Sequence, residues 1–259
     1  MCRWLNIPRS SYYYQAVDPV SEADLEDKIT YIFLESKSRY GARKIKKCLE
    51  KDGIILSRRR IRRIMKRLNL VSVYQKAAFK PHSKGKNEAP IPNRLDRQFN
   101  QERPLEVLVT DLTYVRVDRR WAYVCLIIDL FNREIIGLSV GWHKTAKLVK
   151  QAIQSIPYAL TNVKLFHSDR GKEFDNQLID EMLEAFGITR SLSQAGCPYD
   201  NAVAESTYRS FKLEFINQET FQSLEELALK TKDYVHWWNY HRIHGSLNYQ
   251  TPMTKRIIA

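Results

Sequence analysis

Long apolar runs are missing from the chain. The longest lies around Tyr123–Ile128, far short of the ~20 residues that span a bilayer. The start, Met-Cys-Arg-Trp-Leu-Asn, has no apolar stretch behind its basic residue. Neither a membrane anchor nor a signal peptide is expected. Cysteine is scarce: Cys2, Cys48, Cys125 and Cys197 form no C-x-x-C pair and no disulfide-scaffold pattern, which fits a reducing compartment. Glycine and proline number nine each, so collagen-like and low-complexity architectures are excluded. What is present is ordinary for a globular protein: 259 residues, 44% hydrophobic and 27% charged, enough for one or two domains with a sizeable core.

Acidic side chains run short in one part only. The net charge is +13. Residues 1–100 hold 23 Lys/Arg against 10 Asp/Glu, whereas residues 101–259 hold 19 of each. Within 37–86 there are 18 basic residues and two acidic ones, Glu50 and Asp52. A solvated helical face mixes signs, so this block reads as a field for a polyanion, with nucleic acid foremost. A membrane surface fits less well, because the block lacks a broad aromatic and leucine face.

The apolar spacing predicts helices over 22–36 (Leu25, Ile29, Ile32, Phe33), 42–51 (Ile45, Cys48, Leu49) and 58–69 (Ile61, Ile64, Met65, Leu68). Ser57 is a candidate N-cap for the last of them. Arg58, Arg59, Arg60, Arg62, Arg63, Lys66 and Arg67 cover the rest of that helix. Three short helices ending in an arginine-loaded one suggest a helix-turn-helix unit whose last helix meets DNA. The expected organisation is a tail over 1–20, the helix-turn-helix domain over 21–71, a basic linker over 72–100 and an α/β core over 101–259. In the core, strands at Val107–Val115, Trp121–Ile128 and Glu134–Val140 form an antiparallel meander. Helix 144–160 (interrupted near Pro157), strand 164–167, helix 176–186, strand 188–192, helix 201–216 (Asp200 as candidate cap) and helix 223–240 follow. That order suggests an RNase H-like fold: a mixed five-stranded sheet with helices, preceded by a small all-α domain.

Three acids stand out by context. Asp111 lies mid-strand among Val, Leu and Thr, where a carboxylate is costly unless it is paired or binds metal. Asp169 follows a short strand in Phe-His-Ser-Asp-Arg-Gly, at the strand end where α/β sites sit. Glu205 lies one turn into a helix in Tyr-Asp-Asn-Ala-Val-Ala-Glu-Ser. Converging carboxylates suit Mg²⁺ or Mn²⁺ rather than zinc, and two such ions serve in-line phosphoryl displacement. Asp129, His167 and Asp200 read as structural. His236, His241 and His244 lack a cysteine pair for zinc, and Trp237, Trp238 and Tyr240 read as core.

Asp169 and Glu205 have 35 residues between them. With Asp111 this resembles the D,D-35-E signature of the retroviral-integrase-like transposases. Val-Thr-Asp-Leu-Thr-Tyr and the tail Trp-Asn-Tyr-His-Arg-Ile-His-Gly-Ser-Leu-Asn-Tyr-Gln-Thr-Pro resemble the second-frame product of bacterial two-frame insertion sequences. So does the basic block Tyr40–Leu70. Leu108, where that family commonly has Trp, is a departure read as a packing change. The resemblance implies a DDE-type DNA transposase that cleaves and transfers strands with Mg²⁺ or Mn²⁺, two ions in all. Asp111, Asp169 and Glu205 map onto its catalytic and metal-binding triad. Lys212 matches a basic residue two turns beyond the glutamate, and Arg209 shares its helix face.

The resemblance also implies double-stranded DNA (transposon ends and target) as partner and a homo-oligomer on that DNA. An upstream-frame product, joined by frameshift fusion, is a further implied partner, and the start at Met-Cys-Arg-Trp-Leu fits a second frame. The cytoplasm, at the bacterial nucleoid, is the expected location. The competing reading is a catalytically inactive DNA-binding regulator of transposition. An RNase H-like nuclease on RNA–DNA hybrids fits the fold but not the D-35-E spacing.

Overall fold

The structure, a computed structural model, describes residues 21–74, 91–194 and 196–259, together with Trp4 and Pro8. The expected 1–20 tail (apart from those two residues) and most of the expected linker, 75–90, lie outside the described residues. The chain divides into two compact units, Met1–Ser72 and Val73–Ala259.

The first unit holds three helices, α1 (Glu22–Glu35), α2 (Ala42–Lys51) and α3 (Arg58–Arg67). Ser21 caps α1 by accepting from the Asp24 amide, and Ser57 caps α3 by accepting from the Arg60 amide. Such caps satisfy one of the orphan donors at a helix start. Leu25, Ile29, Phe33, Ile45, Leu49, Ile61 and Ile64 are fully or almost fully buried between the helices. The apolar stripes fix this packing, because each helix has only one face to bury.

The second unit is built on a five-stranded sheet: β1 (Val107–Val117), β2 (Arg120–Asp129), β3 (Ile135–Gly141), β4 (Leu165–Ser168) and β5 (Thr189–Leu192). The order is β3-β2-β1-β4-β5. β1, β2 and β3 are antiparallel neighbours, while β4 and β5 add in parallel beside β1. Alternation along β2 sends Val124, Leu126 and Ile128 to one face, and Cys125 and Ile127 to the other. Helices α4 (Ala146–Gln154) and α5 (Gln177–Ala185) cover the second face. Helices α6 (Ala202–Glu214) and α7 (Leu224–Tyr240) cover the first. Leu108 is buried among Ile127, Leu148 and Phe166 on the α4–α5 side. This antiparallel-then-parallel sheet with helices on both faces is the RNase H-like arrangement.

Four elements differ from the sequence expectation. The helix expected over 144–160 with an interruption near Pro157 is confined to Ala146–Gln154 and does not resume beyond the proline, which disfavours helical backbone at the residue before it. The helix expected from Asn201 begins at Ala202, after a 3-10 turn over Pro198–Asn201, and Asp200 is not its cap. Its carboxylate instead accepts from the Gln194 amide (2.9 Å) and Arg97 Nε (2.8 Å). A further helix, α8 (Pro252–Ile258), closes the chain. Arg256 fixes it by pairing with buried Asp129 (2.9 Å) and Glu134 (2.6 Å). Residues 91–100 lie against the sheet: Leu95 is buried, and the amides of Arg94 and Leu95 donate to Ser191 Oγ.

Candidate active site

Asp111 stands on the central strand. The parallel pairing of β1 with β4 ends at Val109↔His167. Two residues on along each strand come Asp111 and Asp169, so both acids sit just past the last rung on neighbouring strands, whose spacing is ~4.8 Å. Asp111 Oδ1 accepts from the Leu112 amide (2.7 Å), and Asp169 Oδ1 accepts from the Gly171 amide (2.9 Å). Glu205 approaches from α6, on which it is exposed. That helix is locked to β1 at this level. The buried Tyr208 hydroxyl donates to the Asp111 carbonyl and accepts from the Leu126 amide, and Asn201 Nδ2 donates to the Thr110 carbonyl (3.1 Å).

Asp111 feels the charge of both other acids. Burial first, and then the charge of Asp169 and of Glu205, push the Asp111 carboxyl up to about 7. Burial, with nearby Glu173, also raises that of Asp169. Such displacement marks carboxylates whose charge is disfavoured by burial and by neighbouring acids. Among the described residues, no group of three His, Cys, Asp or Glu side chains is gathered closely enough to form a finished metal cage. The Asn201 Oδ1 atom is buried at the same place without a hydrogen-bond partner.

Two residues at this centre carry no signal in the sequence. Glu173 is buried, and its carboxylate pairs with Lys144 (2.7 Å) at the start of α4. The Lys144 charge reaches both Asp111 and Asp169. Gly171 makes room for this pair, since a Cβ there would lie 2.2 Å from Glu173 Oε1. Only a three-dimensional view links positions 144 and 173.

The other candidates have structural partners. His167 is fully buried between Ser191 Oγ (2.8 Å) and Ser193 Oγ (3.1 Å), and burial pushes its pKa down to about 4. Ser191 Oγ already accepts two amides, so its proton goes to Nδ1 and the neutral ring carries hydrogen on Nε2. His244 sits between Arg242 and the Trp238 carbonyl, while His236 stacks on Tyr240. Trp238 is core, and Tyr240 is half exposed. Arg209 is exposed on α6, and Lys212 lies over the Tyr114 ring at 4.9 Å.

In the first unit all seven basic residues of α3 are exposed. Arg60 pairs with Glu22, and Arg67 with Glu22 and Glu26. Arg58, Arg59, Arg62, Arg63 and Lys66 have no carboxylate partner among the described residues. Their positions 59, 62, 63 and 66 share one helix face.

Comparison with known proteins places both units. Residues 20–78 match the HTH-like domain family, and residues 101–198 and 186–252 match two integrase core domain families. InsK of insertion sequence element IS150 from Escherichia coli (strain K12) is 30% identical over 261 residues, covering 99% of this chain and 92% of its own. The transposase for insertion sequence element IS904 from Lactococcus lactis subsp. lactis (strain IL1403) is 30% identical over 231 residues, 88% of this chain and 91% of its own. A protein of element IS1353 from Shigella flexneri is 29% identical over 260 residues, 97% of this chain but 50% of its own. With its helix-turn-helix unit and integrase core, this chain belongs to the transposases of bacterial insertion sequences, enzymes of the polynucleotidyl-transferase type.

Proposed function

We propose that Asp111, Asp169 and Glu205 are the catalytic residues, and that they hold divalent cations, Mg²⁺ or Mn²⁺, against a DNA phosphodiester. The observation that carries this reading is the Asp111 carboxyl. It is half-buried at a strand end and pushed up to about 7, first by its withdrawal from water and then by the charges of Asp169 and Glu205, an arrangement that costs stability unless a cation relieves it. The donor set fits: carboxylate oxygens are hard ligands for Mg²⁺ and Mn²⁺, and the unpartnered Asn201 Oδ1 is one more oxygen of that kind. The exposed Glu205 side chain completes the set. Two bound ions would activate the attacking oxygen and stabilise the charge on the leaving one.

The protein's own residues supply the positioning. The Tyr208 and Asn201 contacts fix α6 against β1, and hence the height of Glu205 relative to Asp111. Glu173 holds Lys144 beside the carboxylates, where its ammonium meets the incoming phosphate. Arg209 and Lys212 continue the basic face of α6 along the DNA. The exposed arginine face of α3 contacts DNA separately, chiefly through phosphates. Cleavage frees a 3′-OH at the element end, and that hydroxyl attacks target DNA in the second step.

We further propose that the chain assembles as an oligomer on DNA and acts at the bacterial nucleoid. An upstream-frame product is the further partner in this reading. An inactive DNA-binding regulator would have no use for an acidic cluster kept at a cost in stability. The test is nicking of supercoiled plasmid by the full chain with Mg²⁺ or Mn²⁺. Asp169→Asn or Glu205→Gln lowers the rate at least ~100-fold, within the span that transition-state electrostatics commands. Full activity in Asp169→Asn overturns the assignment.

A further inference from the structure

On the second unit, a groove of about 360 Å³ opens between the β1–β2 hairpin and the end of α6. Its walls include Tyr114, Arg116, Trp121, Lys212, Asn217 and Phe221. Two of its aromatic residues are unusually open: Tyr114 is 57% exposed and Trp121 49%. They meet edge to face at 5.1 Å. Each carries a cation on its ring. Lys212 Nζ lies 4.9 Å from the Tyr114 centroid, and the Arg116 guanidinium lies 5.3 Å from that of Trp121.

The groove is held in shape from both sides. Arg116 and Trp121 are direct cross-strand partners, the closest side-chain relation a hairpin offers. Arg116 Nε also donates to the Asp118 carbonyl (2.9 Å), and the Asp118 amide donates to the Phe221 carbonyl (2.9 Å). Neither Arg116 nor Lys212 has a carboxylate partner among the described residues. Glu219, the one acid on the wall, is occupied by Lys230 at 2.9 Å. The two cations are thus ordered by aromatic faces, not by counter-charges, and remain available to an anion.

Position tells which anion. Tyr114 is three residues beyond Asp111 on β1, a strand distance of ~10 Å. Lys212 is seven residues beyond Glu205 on α6, also ~10 Å. The two elements run the same way, since Tyr208 bonds at Asp111 while Lys212 lies over Tyr114. From the acidic centre to the groove is therefore about three base steps at 3.4 Å each.

We propose that this groove binds the backbone of the DNA strand flanking the scissile phosphate, with Arg116 and Lys212 each meeting a phosphate about three nucleotides away and Tyr114 and Trp121 holding the cations in place. The inference rests on the DNA-cleaving reading above and adds to it the β1–β2 hairpin as a contact surface. It explains why two large rings stay exposed there: buried against protein, they would leave the cations unsupported.

The test uses the full chain and a fluorescein-labelled 30-base-pair duplex of arbitrary sequence, with anisotropy read from about 50 to 300 mM KCl. Arg116→Gln lowers the slope of log Kd against log salt by about 1, the share of one phosphate contact. Between 50 and 200 mM the variant then loses about 3.5-fold less affinity than the parent. Trp121→Leu keeps every charge and weakens binding roughly threefold by freeing Arg116. Arg119→Gln removes a charge from the same hairpin outside the groove and leaves the slope unchanged. A parental slope in Arg116→Gln overturns the proposal, as does an equal loss in Arg119→Gln. Plasmid nicking by the same preparations separates this question from the catalytic one. A chain that never nicks, yet shows the Arg116-dependent slope, defeats the catalytic reading and leaves the groove standing.

Discussion

Replacing Asp111 with Asn should stabilise the metal-free protein, and by an amount that depends on pH. The carboxyl titrates at about 7 in the folded chain against 3.8 for an ordinary aspartate. Between those values the folded state binds the proton and the unfolded state has lost it, so stability falls as pH rises. The penalty is small below pH 4, grows through the interval and is complete above pH 7. Three pH units correspond to about 4 kcal/mol. Partial access of water to the site makes that an upper figure, and about 2–4 kcal/mol is expected at pH 8. Asn keeps an oxygen for the Leu112 amide, so the substitution removes the charge without orphaning that donor. For a unit of this size the gain raises Tm by roughly 4–16 °C. The assay is circular-dichroism melting in EDTA at pH 8 and pH 5, then with Mg²⁺. The advantage of Asp111→Asn should shrink by about 2 kcal/mol at pH 5, and Mg²⁺ should raise the parental Tm but not the variant's. A variant no more stable than the parent at pH 8, or equally favoured at both pH values, refutes the reasoning.

Two further outcomes test the scaffold of the site. Glu214 on α6 is fully buried and pairs with Arg242 at 2.8 Å, with the Tyr234 hydroxyl also donating to it. Arg242→Met leaves that carboxylate uncompensated and should cost about 3–5 kcal/mol in chemical denaturation, whereas Glu214→Leu with Arg242→Met recovers much of the loss. A cost below about 1 kcal/mol contradicts a stabilising role for the pair. Gly171→Ala drives a Cβ into the Glu173 carboxylate, so Lys144 is released. Plasmid nicking should fall about tenfold or more with DNA affinity little changed, and unaltered nicking would remove Glu173 and Lys144 from the positioning scheme.

Much of this architecture is legible in the sequence because it is local. Apolar spacing gives α1, α2 and α3, Ser57 announces the start of α3, and the unbroken apolar run Tyr123–Ile128 marks β2. Asp111 betrays itself by its surroundings, since a lone carboxylate in an apolar strand demands a reason. What the sequence hides depends on contacts between distant segments. Asp200 has the look of a helix cap, but Arg97 and the Gln194 amide claim it first. The short final helix around Arg256 has too few apolar residues to show a period, and it is defined by ion pairs to Asp129 and Glu134. Lys144 and Glu173 are unremarkable charged residues until the fold joins them. The exposure of Tyr114 and Trp121 is likewise invisible in a strand pattern that alternates normally.

The central claim is that three acidic side chains grip divalent cations at the end of β1. Crystals grown with Mn²⁺ and measured at its absorption edge test it directly. The account predicts anomalous peaks about 2.0–2.6 Å from carboxylate oxygens of Asp111 and Asp169, with Glu205 turned toward them. Manganese bound elsewhere, with those carboxylates unliganded, would contradict it.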